Sequence, residues 1–162
     1  MSATTHYQDF WINPRIKIAA LWASMLFIYA YVDLFSLYRA DVRADIEAGE
    51  IFVFTIGQGF LLGATIYVVL PSLMLFLSLI LPARVARTAN IVAAVLYGVT
   101  IAGGTIGESN YYYIFGSLSE AALLAGVVYY AWTWPKATGA GVAPAEQSRA
   151  STRVPPAPTV RG

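Results

Sequence analysis

Three polar side chains interrupt long apolar stretches of this chain: Asp33, Gln58 and Glu120. A carboxyl group is costly inside a bilayer, and where one occurs it marks an ion path, a ligand anchor or a bond between helices. Each acid has hydroxyl neighbours at helical spacing. Tyr29, Asp33 and Ser36 share a face at i, i+4 and i+7, and Tyr113, Ser117 and Glu120 do the same. Thr55, Gln58, Leu62 and Thr65 form a third stripe. At 1.5 Å per residue, all three polar groups lie roughly 8–13 Å from one end of their stretches, which puts them in one layer. No Lys or Arg lies at that depth; Arg39 is the nearest cation, placed to reach inward toward Asp33. Two carboxyls without a buried cation cannot both stay ionised cheaply. Three chemistries are then open: a shared proton that ties helices together, a proton or cation relay, or a cavity in which the acids anchor a ligand or act as an acid–base pair. The candidate ligand-binding residues are Asp33, Gln58, Glu120, Tyr29, Tyr113 and Ser117.

The elements that must position them are helices. The chain has 162 residues, of which 58% are hydrophobic and 12% charged, about half the charge of an ordinary soluble domain. The stretches 16–38, 51–81, 88–107 and 111–134 contain only three charged residues, Lys17, Asp33 and Glu120. Each is long enough to cross a hydrocarbon core of about 30 Å. The expected fold is therefore all-α, an integral membrane four-helix bundle over 16–136, with an N-terminal arm (1–15) and a disordered tail (137–162) rich in Ala, Pro, Gly, Ser and Thr. The second stretch would be roughly 46 Å long as straight helix. With Pro71 inside it, the reading is a tilted helix, kinked at the proline, whose first turns at 51–56 protrude. The short segment 108–110 makes the third and fourth spans an antiparallel hairpin. Residues 39–50 read as a surface helix, with Val42 and Ile46 on one face, an Arg43–Glu47 pair and a stop at Gly49.

Lys and Arg set the orientation. Arg15, Lys17, Arg84, Arg87, Lys136, Arg149, Arg153 and Arg161 flank one side of the four spans, and only Arg39 and Arg43 flank the other. Both termini are expected in the cytoplasm, with the polar layer toward the outer face. Trp11, Trp132 and Trp134 mark the inner interface, and Tyr38 and Tyr111–Tyr113 the outer one. The chain has no cysteine, and its single histidine, His6, lies in the polar arm. Thiolate, disulfide and intramembrane haem or His-metal chemistry are excluded, and no cofactor or metal is expected. Gly59/Gly63 and Gly103/Gly107 form GxxxG pairs, and Ala122/Gly126 a small-xxx-small pair. Such faces pack helices closely, within one bundle or between the two copies of a homodimer.

The stretches YVDLFSLY (31–38), GQGFLLGA (57–64), RTANIVA (87–93), YYIF (112–115) and YAWTWP (130–135), with Pro71 in its apolar surroundings, carry a further indication. Over residues 12–136 the chain resembles a family of small four-span bacterial membrane proteins known only as a domain of unknown function. The resemblance implies a multi-pass protein of the bacterial plasma membrane, and no reaction. It also implies an acid before the GFLLGA stretch and another before the proline of the second span, where this chain has Gln58 and Leu70. The first functional expectation is a non-enzymatic membrane protein binding a small hydrophobic or cationic ligand, or a partner, in the polar layer. The alternatives are a proton-coupled small transporter working as a dimer, and a membrane-embedded lipid-modifying or isomerase-like enzyme with Asp33 and Glu120 as its acid–base pair.

Overall fold

The computed structural model describes residues 10–135 except 52. In chain order the elements are α1 (Pro14–Ser36), α2 (Ala40–Glu47), β1 (Glu50–Ile51), β2 (Phe54–Thr55), α3 (Gln58–Ile80), α4 (Ala83–Thr105) and α5 (Tyr111–Trp132). The four long helices are apolar and α2 is short. The two small strands pair antiparallel, Glu50 with Thr55 and Ile51 with Phe54. The tail and residues 1–9 of the arm lie outside the described residues.

Each long helix buries one stripe with steps of three and four. These are Ile18, Trp22 and Met25 on α1, Pro71, Met74 and Ser78 on α3, Ala86, Asn90, Ala94 and Tyr97 on α4, and Ser117, Glu120, Leu124, Val127 and Ala131 on α5. The remaining faces stay apolar and exposed, with Phe27, Leu62, Leu96 and Leu118 among them. Helix α1 packs closely on α5 and α3, and α4 on α5, whereas α3 and α4 approach one another sparsely. The α2–hairpin side is called here the hairpin end, and the opposite side the arginine end.

At the arginine end, helix C-termini are capped by side chains from other helices. The Arg15 guanidinium donates to the carbonyls of Leu79 (2.9 Å) and Leu81 (2.6 Å) on α3, and Arg87 Nε donates to that of Ala131 (2.9 Å) on α5. Cations suit the negative end of a helix dipole, and long side chains can reach such sites from the membrane edge. Arg15 also stands 5.4 Å over the Trp134 ring, and Lys17 5.0 Å over that of Tyr130.

Four expectations are corrected. The segment before Gln58 is not the protruding start of a helix: Glu50–Ile51 and Phe54–Thr55 pair as strands, and α3 begins only at Gln58. The third span starts at Ala83, ahead of residue 88, because Arg84 and Arg87 sit in its first turns and Pro82 is its N-cap. Gly107 lies beyond α4 with φ +85°, so Gly103 and Gly107 form no helical pair. Arg43 donates weakly to the carbonyls of Leu37 and Tyr38 and does not pair with Glu47. Gly49, with φ +80°, does end the α2 segment as expected.

Arg39 does not reach Asp33. Its guanidinium pairs with Asp41 and with Glu108 (3.1 Å), strapping the α1–α2 corner to the α4–α5 loop. The Arg39 guanidinium holds Asp41 down to about 2. Burial pushes Glu108 up, but hydrogen bonds from the Asn110 side chain and backbone, from Arg39 and from the Ser109 N–H outweigh it and bring the group to about 2. Both carboxyls are depressed on folding, so their contribution is fully present above the ordinary carboxylate range and is lost as pH falls toward 2. Arg39→Ala is expected to raise the Glu108 midpoint in a carboxyl-resolved NMR titration. A wild-type midpoint near 4.5 would show that the strap is not formed in solution.

Candidate ligand-binding site at the hairpin end

Among the described residues Glu120 is the buried acid, 3% exposed, and its Oε1 has no hydrogen-bond partner there. Helix contacts locate it. The Ser36 and Tyr112 hydroxyls meet at 2.9 Å, Val32 lies against Gly116, and Leu21 against Gly126. Each step up α1 therefore matches one step down α5, and Glu120 falls beside Ile28 and Tyr29. On the other side Gly104 meets the Tyr113 hydroxyl and Arg87 meets Ala131, which sets Glu120 level with Tyr97 and Gly98. The Tyr29 and Tyr67 ring centroids are 5.8 Å apart, and those of Tyr67 and Tyr97 are 4.8 Å apart. Three tyrosines, from α1, α3 and α4, thus surround the depth of one carboxyl.

Their hydroxyl protons are directed elsewhere. Tyr97 Oη donates to the Tyr67 carbonyl at 2.6 Å. Thr100 Oγ1 donates to the Tyr97 carbonyl (2.8 Å), so in the 2.7 Å contact between Tyr67 and Thr100 the tyrosine is the donor. Tyr29 has the Asp33 side chain as its polar neighbour one turn on. Glu120 Oε1 is left without a donor among the described residues. By the α1–α5 register Asp33 lies about 7 Å nearer the hairpin end.

Asp33 is exposed, but not as a lipid-facing residue would be. It continues the stripe of Ile18, Trp22, Met25 and Tyr29, so it points along the inner face of the bundle. It is open because α3 has no cover to offer there. Gln58, Gly59 and all of residues 61–66 are exposed, and a Cβ on Gly59 or Gly63 would meet nothing within 4 Å. Phe60, half-buried, rests on Phe54 of the hairpin at 6.0 Å between rings. The exposed space between Asp33 and this part of α3 is called here the cleft, and Glu120 lies buried deeper in the bundle.

The expected single layer of three polar groups is therefore redrawn. Gln58 is the first residue of α3, nine positions and so half a turn off the stripe of Tyr67, Pro71, Met74 and Ser78; it stands at the rim. Ser117 is buried one turn from Glu120, and Tyr113 is half-buried with its hydroxyl against Gly104. Tyr67, Tyr97 and Thr100 are not among the candidates read from the sequence. A groove of about 350 Å³ lies elsewhere, on the outside between α1 and α5, with Phe27, Tyr31, Phe35 and Phe115 among its lining residues. No charged residue lines it.

Four helices long and apolar enough to cross a membrane define a multi-pass membrane protein. The chain belongs to a family of unknown function (DUF6326), whose profile matches residues 9–141. No curated protein and no solved structure matches it.

Proposed function

We propose that this protein binds a small, partly apolar organic cation in the cleft at its hairpin end. The observation that carries the reading is the open Oε1 of Glu120, buried and without a donor. A buried carboxylate needs a positive partner or a donor. A cation at this depth would meet Glu120, the faces of Tyr29, Tyr67 and Tyr97, and Asp33 on its way in. Aromatic faces attract cations by about 0.5–2 kcal/mol each, more so away from water. The crevice below, lined by Met25, Tyr29, Tyr67, Pro71 and Tyr97 among others, is only about 10 Å³. That is room for about one water, so a ligand would stop at Glu120. In this reading the termini are cytoplasmic in a bacterial plasma membrane. The acidic hairpin end (Asp41, Asp45, Glu47, Glu50 and Glu108, against Arg39 and Arg43) then faces outward and draws cations to the mouth.

The test is calorimetric titration of benzyltrimethylammonium into protein held in nanodiscs. Glu120→Gln keeps the shape and removes the charge, and it is expected to weaken binding about tenfold or more, the equivalent of one charge-assisted contact. Asp33→Asn, at the mouth, should cost less. Equal affinity in wild type and Glu120→Gln would overturn the reading.

A further inference from the structure

We propose that the hairpin-end third of α3, residues 58–66, is a gate over this cleft, pivoting where Pro71 interrupts the helix and latched by the Tyr97 hydroxyl. Pro71 has no N–H, so the carbonyl four residues earlier, that of Tyr67, loses its helical donor. Between apolar helices such a carbonyl needs a replacement. Tyr97 Oη supplies it, at 2.6 Å, from across the α3–α4 seam. Among the described residues this is the one hydrogen bond from α4 to the α3 backbone. The bond that holds the weak point of α3 therefore belongs to another helix.

The two sides of that point differ. Toward the arginine end α3 is fixed: Met74 and Ser78 are buried, Ser78 Oγ lies 3.0 Å from Asn90 Oδ1, and Arg15 bonds the last carbonyls. Toward the hairpin end residues 58, 59 and 61–66 are all exposed, and Phe60 rests on Phe54 of the hairpin. This segment is also shaped to close. The Tyr29–Tyr67 contact sets an antiparallel register that, continued upward, puts Gly63 opposite Asp33. Gly59, Gly63 and Ala64 bring no bulk to that approach. Closure would cover Asp33 and shut the way to Glu120. A rotation of about 20° at the pivot moves the start of α3 by about 7 Å and Leu62 by about 5 Å. The gate governs ligand access only if the cleft binds as proposed above, but the motion belongs to the empty protein and is tested without ligand, so either idea can fail alone.

The chain has no cysteine, so a nitroxide pair at Leu62→Cys and Leu118→Cys, which are 62% and 64% exposed, reports the distance across the cleft by pulsed EPR in nanodiscs. Tyr97→Phe is expected to shift the distribution by about 5 Å toward shorter distances. Pro71→Ala restores an N–H for the Tyr67 carbonyl, so Pro71→Ala/Tyr97→Phe should match Pro71→Ala alone. Thr100→Val, which removes a partner of the Tyr67 side chain but not of its backbone, should leave the distances unchanged. A Tyr97→Phe distribution identical to wild type, a shift that Pro71→Ala does not suppress, or an equal shift in Thr100→Val would each overturn the gate. Should Pro71→Ala fail to insert, hydrogen exchange on Tyr97→Phe decides. Faster exchange confined to 61–66 supports the gate, and equal acceleration over 74–80 overturns it.

Discussion

Asn90→Ala is expected to lower stability by about 1–3 kcal/mol. Asn90 is 0% exposed and ties three helices together. Its Oδ1 accepts from Trp22 Nε1 on α1 at 2.7 Å and lies 3.0 Å from Ser78 Oγ on α3, while its Nδ2 donates to the Ala86 carbonyl at 2.8 Å. Ser78 has a second acceptor, the Met74 carbonyl at 2.6 Å, and can do without Asn90. Among the described residues Trp22 has no second partner. Its ring is fully buried and packs edge-on against Tyr97 at 6.0 Å, so its N–H would be stranded. A stranded buried donor costs more than the net worth of the bond that satisfied it. The figure stays moderate because a helix unpacked within the bilayer also finds partners for its polar groups. Unfolding of single variants and of Asn90→Ala/Trp22→Phe in bicelles measures the pair: the double variant should lose less than the sum, since Phe brings no donor to strand. Additive losses, or an Asn90→Ala midpoint equal to wild type, would show that the hub is not a source of stability.

The same residue shows what a sequence conceals. In a hydropathy reading Asn90 counts only as a defect of the third span, because nothing near it says that Trp22 and Ser78, both far away in the chain, will come to its side chain. The Tyr97–Tyr67 bond is equally silent: Pro71 announces a missing donor, but not which helix replaces it. What repeats at helical period was legible. Asp33 with Tyr29, and Glu120 with Ser117 and Tyr113, share faces in the sequence and keep them in the structure. The break at 108–110 and the stop at Gly49 were legible too, because loop polarity and a left-handed glycine are local signals. The start of α3 was not. Ile51, Val53, Phe54 and Ile56 are apolar and β-branched or aromatic, equally at home in a short hairpin and in a buried helix, and a short run has no period to decide between them. Moving that boundary to Gln58 is what moved Gln58 from the polar layer to the rim. The start of α4 was misplaced by a related reasoning: Arg84 and Arg87 marked a loop by charge, yet Arg87 reaches the end of α5 from within a helix.

Gly116→Ala is expected to cost about 1–3 kcal/mol, the usual penalty for overpacking, although it adds one methyl and improves helix propensity. A Cβ at Gly116 runs into Val32 Cγ2, and Val32 is β-branched, with little rotamer freedom to withdraw. The α1 backbone must then move away at the place where α1 and α5 approach closely. Val32 is joined to Asp33 and Gly116 to Ser117, so the displacement enters the cleft, and benzyltrimethylammonium binding should weaken along with stability. Val32→Ala makes room, and Val32→Ala/Gly116→Ala should regain most of the loss that Gly116→Ala causes alone. The other glycines supply the comparison. At Gly126 the nearest obstacle is Leu21 Cδ1 at 3.2 Å, the end of a side chain that can turn, so Gly126→Ala should cost less. At Gly59 and Gly63 nothing lies within 4 Å, and alanine there should be neutral or stabilising in the monomer through the reduced freedom of the unfolded chain. The order of effects, Gly116 above Gly126 above Gly63, is measured by unfolding the four single and double variants with Gly63→Ala in the same bicelles. A Gly63→Ala loss larger than that of Gly116→Ala would mean that the GxxxG face of α3 is already occupied, by a closed gate or by a second copy of the chain, and that the open cleft is not the resting state.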